Sequence, residues 1–271
     1  MSNLEDVIQE IRRSGYSAVG FAEHYDRYRP GPPAVLLDLL PEMAGVSRPR
    51  LVVDLGAGTG LSTRFWAGHS DEVVGIEPLD EMREVAVAAT TAGNVAYVAG
   101  TSADTGLPDG CADIVTCSQS LQWMEPDPTF AEVGRILRAG GVFAAYEYRW
   151  GLTTNWGANA AFEASYARKA ELREELALDA GRTLWPVSRE RFVESGAFSA
   201  VAETALHSVE EVTAERLVGF ALSEGSMVTL LDAGVTEKQV GLQRLRAAAA
   251  DGLGDEPSPW YLGYRLVVGR A

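Results

Sequence analysis

The chain has 271 residues, of which 46% are apolar and 23% are charged, proportions typical of a folded globular protein rather than a disordered one. Acidic residues outnumber basic ones, 38 Asp and Glu against 23 Lys and Arg, which gives a formal net charge of -15. Because this charge repels phosphate groups and anionic lipid headgroups, it argues against nucleic acid or a membrane surface as the partner.

The N-terminal segment predicts an amphipathic helix. Leu4, Val7, Ile8 and Ile11 recur at helical spacing among charged residues, a pattern of a surface helix and not of a secretory signal peptide. No segment approaches the run of roughly 20 apolar residues that a membrane span requires. We therefore expect a cytoplasmic protein.

Residues 51–150 alternate short apolar runs with helical patterns. The runs predict strands at 51–55, 72–76, 95–98, 112–117 and 142–148. Helices are predicted at 62–68, from residue 80 onwards and at 130–137. Gly140 and Gly141 are expected to end the last of these helices before the fifth strand. This alternation predicts a parallel sheet with helices on both faces and right-handed connections.

The pattern after residue 150 is mainly helical. Helices are predicted at 158–178, 188–195, 213–221 and 236–250, and strands at 199–207 and 261–268. Thr236 and Gln239 have the spacing of an N-terminal capping box. The fold prediction is an α/β domain with a seven-stranded, mostly parallel sheet, helices on both faces and a helical cap.

A glycine-rich segment separates the first predicted strand from the first helix. Residues 54–60 read Asp-Leu-Gly-Ala-Gly-Thr-Gly. Glycines allow a tight turn and a close approach of backbone N–H groups to a ligand, and the helix that follows favours a negative group at its N-terminus. Glu77, at the end of the second predicted strand, could accept hydrogen bonds from both hydroxyls of a ribose. A dinucleotide motif starting at Gly56 would need glycine at position 61, which is Leu61.

These residues resemble the first motif of the class I S-adenosylmethionine-dependent methyltransferases, and the resemblance covers about residues 20–150. Residues 21–30, FAEHYDRYRP, are similar to the Y-D-x-Y-R-P lead-in of members that act on small molecules. Residues 100–108 are similar to the segment that lines the adenine, and residues 137–141 to the turn before the fifth strand. The Gln-Trp pair at 122–123 resembles the trans-aconitate methyltransferase-like subgroup.

The resemblance implies a Rossmann-like core and S-adenosylmethionine as the cofactor. It implies that Tyr25 and Arg29 close over the methionine end of the cofactor. The other implied contacts are Asp54, Gly56, Ala57, Gly58, Glu77, Pro78, Met82, Thr101, Ser102, Ala103 and Ser118. The family usually has an acidic residue where Ala103 stands, so either Asp104 contacts the adenine amine, or Ser102 and the backbone suffice.

Methyl transfer requires the protein mainly to align the nucleophile and exclude water. His24 and Glu147 are candidate general bases for a hydroxyl or amine acceptor. A carboxylate acceptor would need no base, and Arg149 could hold it. The candidate substrate-binding residues are Gln122, Trp123, Tyr148, Arg149 and Trp150.

The predicted function is methyl transfer from S-adenosylmethionine to a small molecule, with a carboxylate or hydroxyl oxygen favoured by the subgroup resemblance. A module that binds the cofactor without catalysis is an alternative, favoured by Ala103. A nicotinamide-dependent oxidoreductase is another, opposed by Leu61. The three histidines lack metal-ligand spacing, so no metal site is predicted, and the pair Cys111 and Cys117 fits a reducing compartment.

The predicted domain organisation follows from these patterns. Residues 1–30 form the N-terminal helix and the segment that closes over the cofactor, and residues 31–150 form the cofactor-binding core. Residues 151–195 and 208–255 form the substrate cap, and residues 196–207 and 256–271 supply the closing strands of the core sheet.

Overall fold

The computed structural model describes residues 9, 13, 15–149, 154–179 and 184–271. The positions that predict the N-terminal helix, Leu4, Val7, Ile8 and Ile11, lie outside the described residues. The helices of the described residues are α1 (Phe21–Tyr28), α2 (Leu36–Ala44), α3 (Leu61–Phe65), α4 (Asp80–Ala88), α5 (Pro126–Ile136), α6 (Trp156–Glu175), α7 (Arg189–Glu194), α8 (Ala214–Leu222), α9 (Gly225–Asp232) and α10 (Leu242–Gly252). The strands are β1 (Leu51–Leu55), β2 (Glu72–Ile76), β3 (Val95–Val98), β4 (Ala112–Ser118), β5 (Leu137–Tyr148), β6 (Ala200–Val212) and β7 (Ser258–Arg270).

The strands form one seven-stranded sheet in the order β3-β2-β1-β4-β5-β7-β6. Strands β1 to β5 are parallel, and β7 is antiparallel to both of its neighbours, β5 and β6. This confirms the predicted Rossmann-like, mostly parallel sheet. The chain order reverses between β1 and β4, and ligands of open α/β sheets bind beyond the carboxyl ends of strands at such a point.

Helices cover both faces of the sheet. Successive side chains of a strand point to opposite faces, so each strand contributes to both layers. Val53 packs with Phe130 of α5 on one face. Val52 packs with Leu40 of α2 and with Trp66 on the other face. Helices on both sides therefore leave only the ends of the strands for a ligand.

The cap is joined to the core by the two longest strands. Strands β6 and β7 have 13 residues each and pair along their whole length. At one end of β7, Val267 lies in the core of the sheet. At the other end, Trp260 is fully buried in the cap, with Phe162 of α6 and Phe220 of α8. The hairpin thus contributes to both hydrophobic cores.

Two predicted boundaries are wrong. Helix α5 ends at Ile136 and β5 begins at the next residue, so Gly140 and Gly141 lie inside the strand. Gly140 has φ 76°, and the pairing with β4 shifts register in this region, so the glycines accommodate an irregularity rather than a turn before the strand.

The other wrong boundary is the helix predicted at 236–250, which begins only at Leu242. The capping box is present, with the Thr236 N–H donating to Gln239 Oε1 at 2.9 Å. Gly241, however, has φ 85° and separates this capped turn from α10. Helices α1, α2 and α9 were not predicted, whereas the other predicted helices and strands within the described residues are present with changes at their ends. Across the described ranges, no helix combines the length and apolarity needed to cross a membrane.

Replacing Gly75 of β2 with alanine is expected to lower the free energy of unfolding by about 1–3 kcal/mol, because overpacking strains a buried sheet. A Cβ there would lie 2.7 Å from Tyr97 Cδ1 and 2.9 Å from Ala57 Cβ. Gly263→Ala in β7 is the matched control, since no described atom lies within 4 Å of its Cβ position. Urea unfolding of both variants measures the difference, and equal losses would contradict the expectation.

Candidate active site

Asp54 lies beneath the glycine segment and not at its surface. Its carboxylate is 1% exposed and accepts hydrogen bonds from Ser62 Oγ at 3.1 Å, Thr63 Oγ1 at 2.7 Å and Thr116 Oγ1 at 2.8 Å. Burial raises the pKa of Asp54 to about 6, although the three hydrogen bonds act in the opposite direction. The predicted cofactor contact is therefore placed where it joins β1 to α3 and β4.

The two central glycines of the segment face different surroundings. Gly56 and Gly58 have φ 65° and 56°, a region that other residues avoid. A Cβ on Gly56 would lie 2.7 Å from Ser120 Cβ, so the segment packs directly on the turn after β4. Gly58 has no described atom within 4 Å of its Cβ position. The N–H groups of Gly56 and Ala57 both donate to the Ile76 carbonyl, which holds the segment on β2.

Glu77 follows β2 directly and faces the same open space as Gly58. Its carboxylate is 6% exposed and accepts hydrogen bonds from the N–H groups of Gly58 at 2.9 Å and Leu79 at 3.0 Å. Burial raises the pKa of Glu77 to about 6, against the lowering effect of these two bonds. Each carboxylate oxygen can accept a further hydrogen bond. A glycine with space before it and a buried carboxylate beside it fit the ribose of the predicted cofactor.

Alanine at the two glycines should separate folding from ligand binding. Gly56→Ala is expected to cost about 2–4 kcal/mol of unfolding free energy through the contact with Ser120 and the left-handed backbone. Gly58→Ala should cost only about 1–2 kcal/mol for the backbone, yet weaken S-adenosylhomocysteine binding roughly tenfold or more by filling the open space. Urea unfolding and calorimetric titration measure these effects. Unchanged ligand affinity in Gly58→Ala would contradict the placement of the ligand.

The predicted adenine segment forms a tight turn. Thr101 and Asp104 pair through backbone hydrogen bonds, with the Thr101 N–H donating at 3.1 Å. The Ser102 hydroxyl lies 2.7 Å from Thr129 Oγ1 and is therefore already engaged with α5. Ala103 and Asp104 are both exposed. Asp104 and the backbone are thus the more accessible polar groups of this turn.

Met82, another predicted cofactor contact, is buried between helices. Its side chain packs with Leu79, Phe21 and Ala22, so that α1 is held against α4. Pro78, at the start of this connection, is half-buried. Met82 therefore positions the segment that carries Tyr25.

A cavity of about 790 Å³ lies at the carboxyl ends of β4 and β5, beneath the cap. Ser118 ends β4 opposite Tyr146. Gln119, the next residue, lines the cavity and has φ 55°, a strained value for a residue other than glycine. The Gln119 N–H donates to the Tyr146 carbonyl at 3.0 Å, and Gln122 Nε2 donates to the Gln119 carbonyl at 2.9 Å. Because Ser120 contacts Gly56, this wall of the cavity adjoins the glycine segment.

Glu147 and Trp123 complete the wall of the cavity formed by the sheet. Glu147 is half-buried near the end of β5, where burial raises the pKa of its carboxyl and Arg265 lowers it. The Trp123 ring packs edge-on against Tyr16, with 5.8 Å between the ring centroids. Glu147 is therefore an acid that faces the cavity beside an aromatic wall.

Arg29 and Tyr25 line the side of the cavity formed by α1. Arg29 is 6% exposed, and its guanidinium lies 4.6 Å from the centroid of the Tyr25 ring. It donates hydrogen bonds to the Tyr148 hydroxyl and, at 2.7 Å, to the Ser223 carbonyl. This buried cation thus joins α1 to β5 and to the cap.

Three other predicted site residues, His24, Tyr148 and Arg149, are not among the described residues that line the cavity. His24 donates through Nε2 to the Gly219 carbonyl at 2.9 Å. Tyr148 is buried, with its hydroxyl bound by Arg29. Arg149 is exposed, and Trp150 lies outside the described residues.

The cap wall carries polar residues that the sequence prediction missed. Tyr166, Lys169, Ala170 and Arg173 of α6 all line the cavity, as does Glu224 before α9. Their positions on α6 have the i, i+3, i+4, i+7 spacing of one helix face. A lysine and an arginine on a face otherwise expected to be apolar were the signal that could have identified this wall.

Cys111 and Cys117 are not among the described residues that line the cavity. Cys111 and Cys117 are free, and burial raises the pKa of Cys117 to about 12, so this thiol is unreactive near neutral pH. Within the described part of the chain, no group of three or more His, Cys, Asp or Glu side chains could hold a metal ion.

Comparisons with known proteins show a similarity to methyltransferases. Residues 53–145 match the family model described as a methyltransferase domain. An uncharacterised methyltransferase of Mycobacterium tuberculosis is 38% identical over 126 residues, which cover 46% of this chain and 48% of that protein. The match thus spans about half the length of this curated relative.

Two solved structures show the same fold. A protein described as a type II methyltransferase from Anaeromyxobacter dehalogenans has a TM-score of 0.66 and 23% identity, covering 90% of this chain and 98% of that one. Phosphoethanolamine N-methyltransferase 2 of Haemonchus contortus, in complex with phosphomonomethylethanolamine and S-adenosylhomocysteine, has a TM-score of 0.55 and 16% identity. That likeness covers 98% of this chain and 60% of the other.

Proposed function

We propose that the protein transfers the methyl group of S-adenosylmethionine to a hydroxyl oxygen of a small organic molecule. Its similarity to methyltransferases over residues 53–145 supports this cofactor. The observation that carries the proposal is Glu147, an acid that faces a cavity beside the glycine segment. A cavity of about 790 Å³ has the size of pockets that bind small molecules.

The cofactor would be held across the carboxyl ends of β1 and β2. Glu77 would accept the ribose hydroxyls, and Gly58 would admit the ligand to the backbone. Tyr25 and Arg29 would lie toward its methionine end, next to the cavity that both residues line. When bound, S-adenosylmethionine supplies a methyl group on a positively charged sulfur, so the sulfur–carbon bond breaks as the oxygen–carbon bond forms.

Glu147 would act as the general base. Its carboxylate accepts the proton that the acceptor hydroxyl loses as the new oxygen–carbon bond forms. Its raised pKa suits this task, since a base whose pKa lies nearer the working pH takes up a proton more readily. Trp123 and Tyr16 would exclude water from this side of the cavity.

The groups around the cavity favour a hydroxyl over a carboxylate as the nucleophile. Both signs of charge line the cavity, the cations Arg29, Lys169 and Arg173 and the acids Glu147, Glu174, Asp179 and Glu224, so the charges do not discriminate against an amine. A carboxylate nucleophile at the sheet wall would be repelled by Glu147. A hydroxyl is neutral and provides the proton that Glu147 can accept.

Transfer of a labelled methyl group tests this function. The protein is incubated with S-adenosylmethionine labelled on the methyl carbon and with a pooled collection of hydroxyl-bearing, amine-bearing and acidic compounds. Label in an ether product supports the proposal, whereas label in an amine or in macromolecules would overturn it. Binding of the cofactor without transfer to any compound would favour a non-catalytic binding module.

A further inference from the structure

Two facing walls of the cavity carry buried polar atoms that lack hydrogen-bond partners within the described residues. Among them are Gln119 Nε2 and Gln122 Oε1 on the sheet wall and Ser226 Oγ on the cap wall. Buried polar groups of folded proteins are nearly always hydrogen-bonded. Their position on two facing walls indicates a ligand with polar groups at both ends.

The cap wall is suited to an anionic group. Lys169 is 4% exposed, and Glu224 accepts a hydrogen bond from its ammonium. The ammonium has three N–H donors, and its nitrogen lies 3.6 Å from the centroid of the Tyr166 ring. A buried ammonium with one acid partner and an aromatic face has donor capacity left for a ligand in the cavity that it lines.

Arg173 holds the backbone of Ser226, whose hydroxyl lies on the cap wall. It is 5% exposed and lies one helical turn after Lys169. Its guanidinium donates to the Ser226 carbonyl at 2.8 Å and to Asp179 at 2.6 and 3.0 Å. These hydrogen bonds occupy most of the donors of Arg173. Asp179 itself is half-exposed at the mouth of the cavity. Lys169 and the Ser226 hydroxyl are then the donors of the cap wall that can bind a ligand.

The sheet wall is suited to a hydroxyl. Glu147 can accept a proton, and Gln122 Oε1 can accept a hydrogen bond. Gln119 Nε2 can donate a hydrogen bond to the oxygen of a ligand hydroxyl. The three groups are held close together, because the backbone of Gln119 bonds both to Gln122 and to the residue before Glu147. A hydroxyl is both donor and acceptor, so it can accept from Gln119 Nε2 while it donates to Glu147 or to Gln122 Oε1.

We propose that the acceptor is a small hydroxy acid, with its carboxylate on Lys169 and Ser226 and its hydroxyl at Glu147, Gln119 and Gln122. This inference rests on the proposed methyl transfer to a hydroxyl and names its substrate class. A ligand with a hydroxyl alone would leave the Lys169 donors and the Ser226 hydroxyl unused. An ammonium in place of the carboxylate would face Lys169 directly.

The test uses the full chain saturated with S-adenosylhomocysteine. Aliphatic 2-hydroxy acids, hydroxybenzoic acids and hydroxycinnamic acids are titrated calorimetrically, each beside its methyl ester and its analogue without the hydroxyl. One or more hydroxy acids are expected to bind at least tenfold more tightly than the ester and to be methylated on the hydroxyl when S-adenosylmethionine replaces the product.

Variants assign the anionic group to the cap wall. Lys169→Met is expected to weaken hydroxy-acid binding at least tenfold, to leave ester binding unchanged and to leave S-adenosylhomocysteine affinity unchanged. Arg168→Met, the adjacent and more exposed residue, is the matched control and should bind all ligands as the wild type does. The double variant Lys169→Met/Glu224→Gln removes both charges, so no buried acid is left unpaired if the single variant folds poorly.

Three outcomes would overturn the hydroxy-acid proposal. Esters could bind as tightly as acids, both Lys169 variants could weaken esters and acids equally, or no compound of the panel could bind while S-adenosylhomocysteine does. The last result would leave methyl transfer itself standing. Failure to bind S-adenosylhomocysteine would instead overturn the proposed function on which the inference rests.

Discussion

Replacing Glu77 with alanine is expected to weaken the binding of S-adenosylmethionine and S-adenosylhomocysteine by roughly 100-fold or more. Two hydrogen bonds to a charged carboxylate are worth about 1.5–3 kcal/mol each, and every 1.4 kcal/mol changes affinity about tenfold. Calorimetric titration measures the change. Glu72→Ala, at the exposed start of the same strand, is the matched control and should bind both ligands as the wild type does.

The same carboxylate predicts a pH dependence of binding. The pKa of Glu77 in the free protein is about 6 because it is buried. Ribose hydroxyls donate to the ionised form, so affinity should fall as the pH falls below about 6 and the carboxylate takes up a proton. Glu77→Gln should bind more weakly and lose this dependence. If the dependence persists in that variant, Asp54, whose pKa is also about 6, is its source and the role given to Glu77 is wrong.

Glu147→Gln is expected to lower kcat by roughly 100- to 10,000-fold, the usual contribution of a general base. Glutamine keeps the size of the side chain, but it cannot accept the hydroxyl proton. S-adenosylhomocysteine affinity should stay within twofold of the wild type, because Glu147 faces the cavity and not the glycine segment. The acceptor found by methyl labelling serves as substrate, and formation of S-adenosylhomocysteine is measured.

The pH profile distinguishes a base from a structural residue. Burial raises the pKa of Glu147, and only the ionised carboxylate can accept a proton. The kcat of the wild type should therefore fall as the pH falls through this raised pKa, and the variant should lack that limb. Glu174→Gln, an exposed residue at the mouth of the same cavity, should keep the wild-type profile. An unchanged kcat in Glu147→Gln would show that no carboxylate base is needed.

The sheet was predictable because its signals are local. Strands at 51–55, 72–76 and 95–98 are confirmed residue for residue, since short apolar runs between turns define buried parallel strands. The α5–β5 boundary was not predictable in the same way. Gly140 and Gly141 are commonly turn residues, but here both bond to Ala271, the residue after β7. The Gly140 N–H donates to the Ala271 carbonyl at 3.1 Å, and the Gly141 carbonyl accepts from the Ala271 N–H at 2.9 Å, which keeps the glycines in the strand. Tertiary pairing overrode the local preference.

The elements proposed to hold the cofactor were also recognisable in the sequence. Residues 54–60 and Glu77 are near each other in the chain, and the carboxyl ends of adjacent parallel strands meet at one edge. Distinguishing their roles required coordinates. The carboxylates of Asp54 and Glu77 are both buried, yet only Glu77 lies beside the open space at Gly58, whereas three hydroxyls surround Asp54.

The sequence by itself determined the α/β fold and the similarity to methyltransferases, because both depend on residue type and spacing over short distances. Only the tertiary structure brought together the cavity residues Glu147, Gln119, Lys169 and Ser226. They come from segments up to about a hundred residues apart in the sequence. In addition, packing against the rest of the protein decides which face of a helix points inward. For the same reason, His24 and Arg149, suitable in chemistry and in sequence position, lie away from that cavity among the residues described.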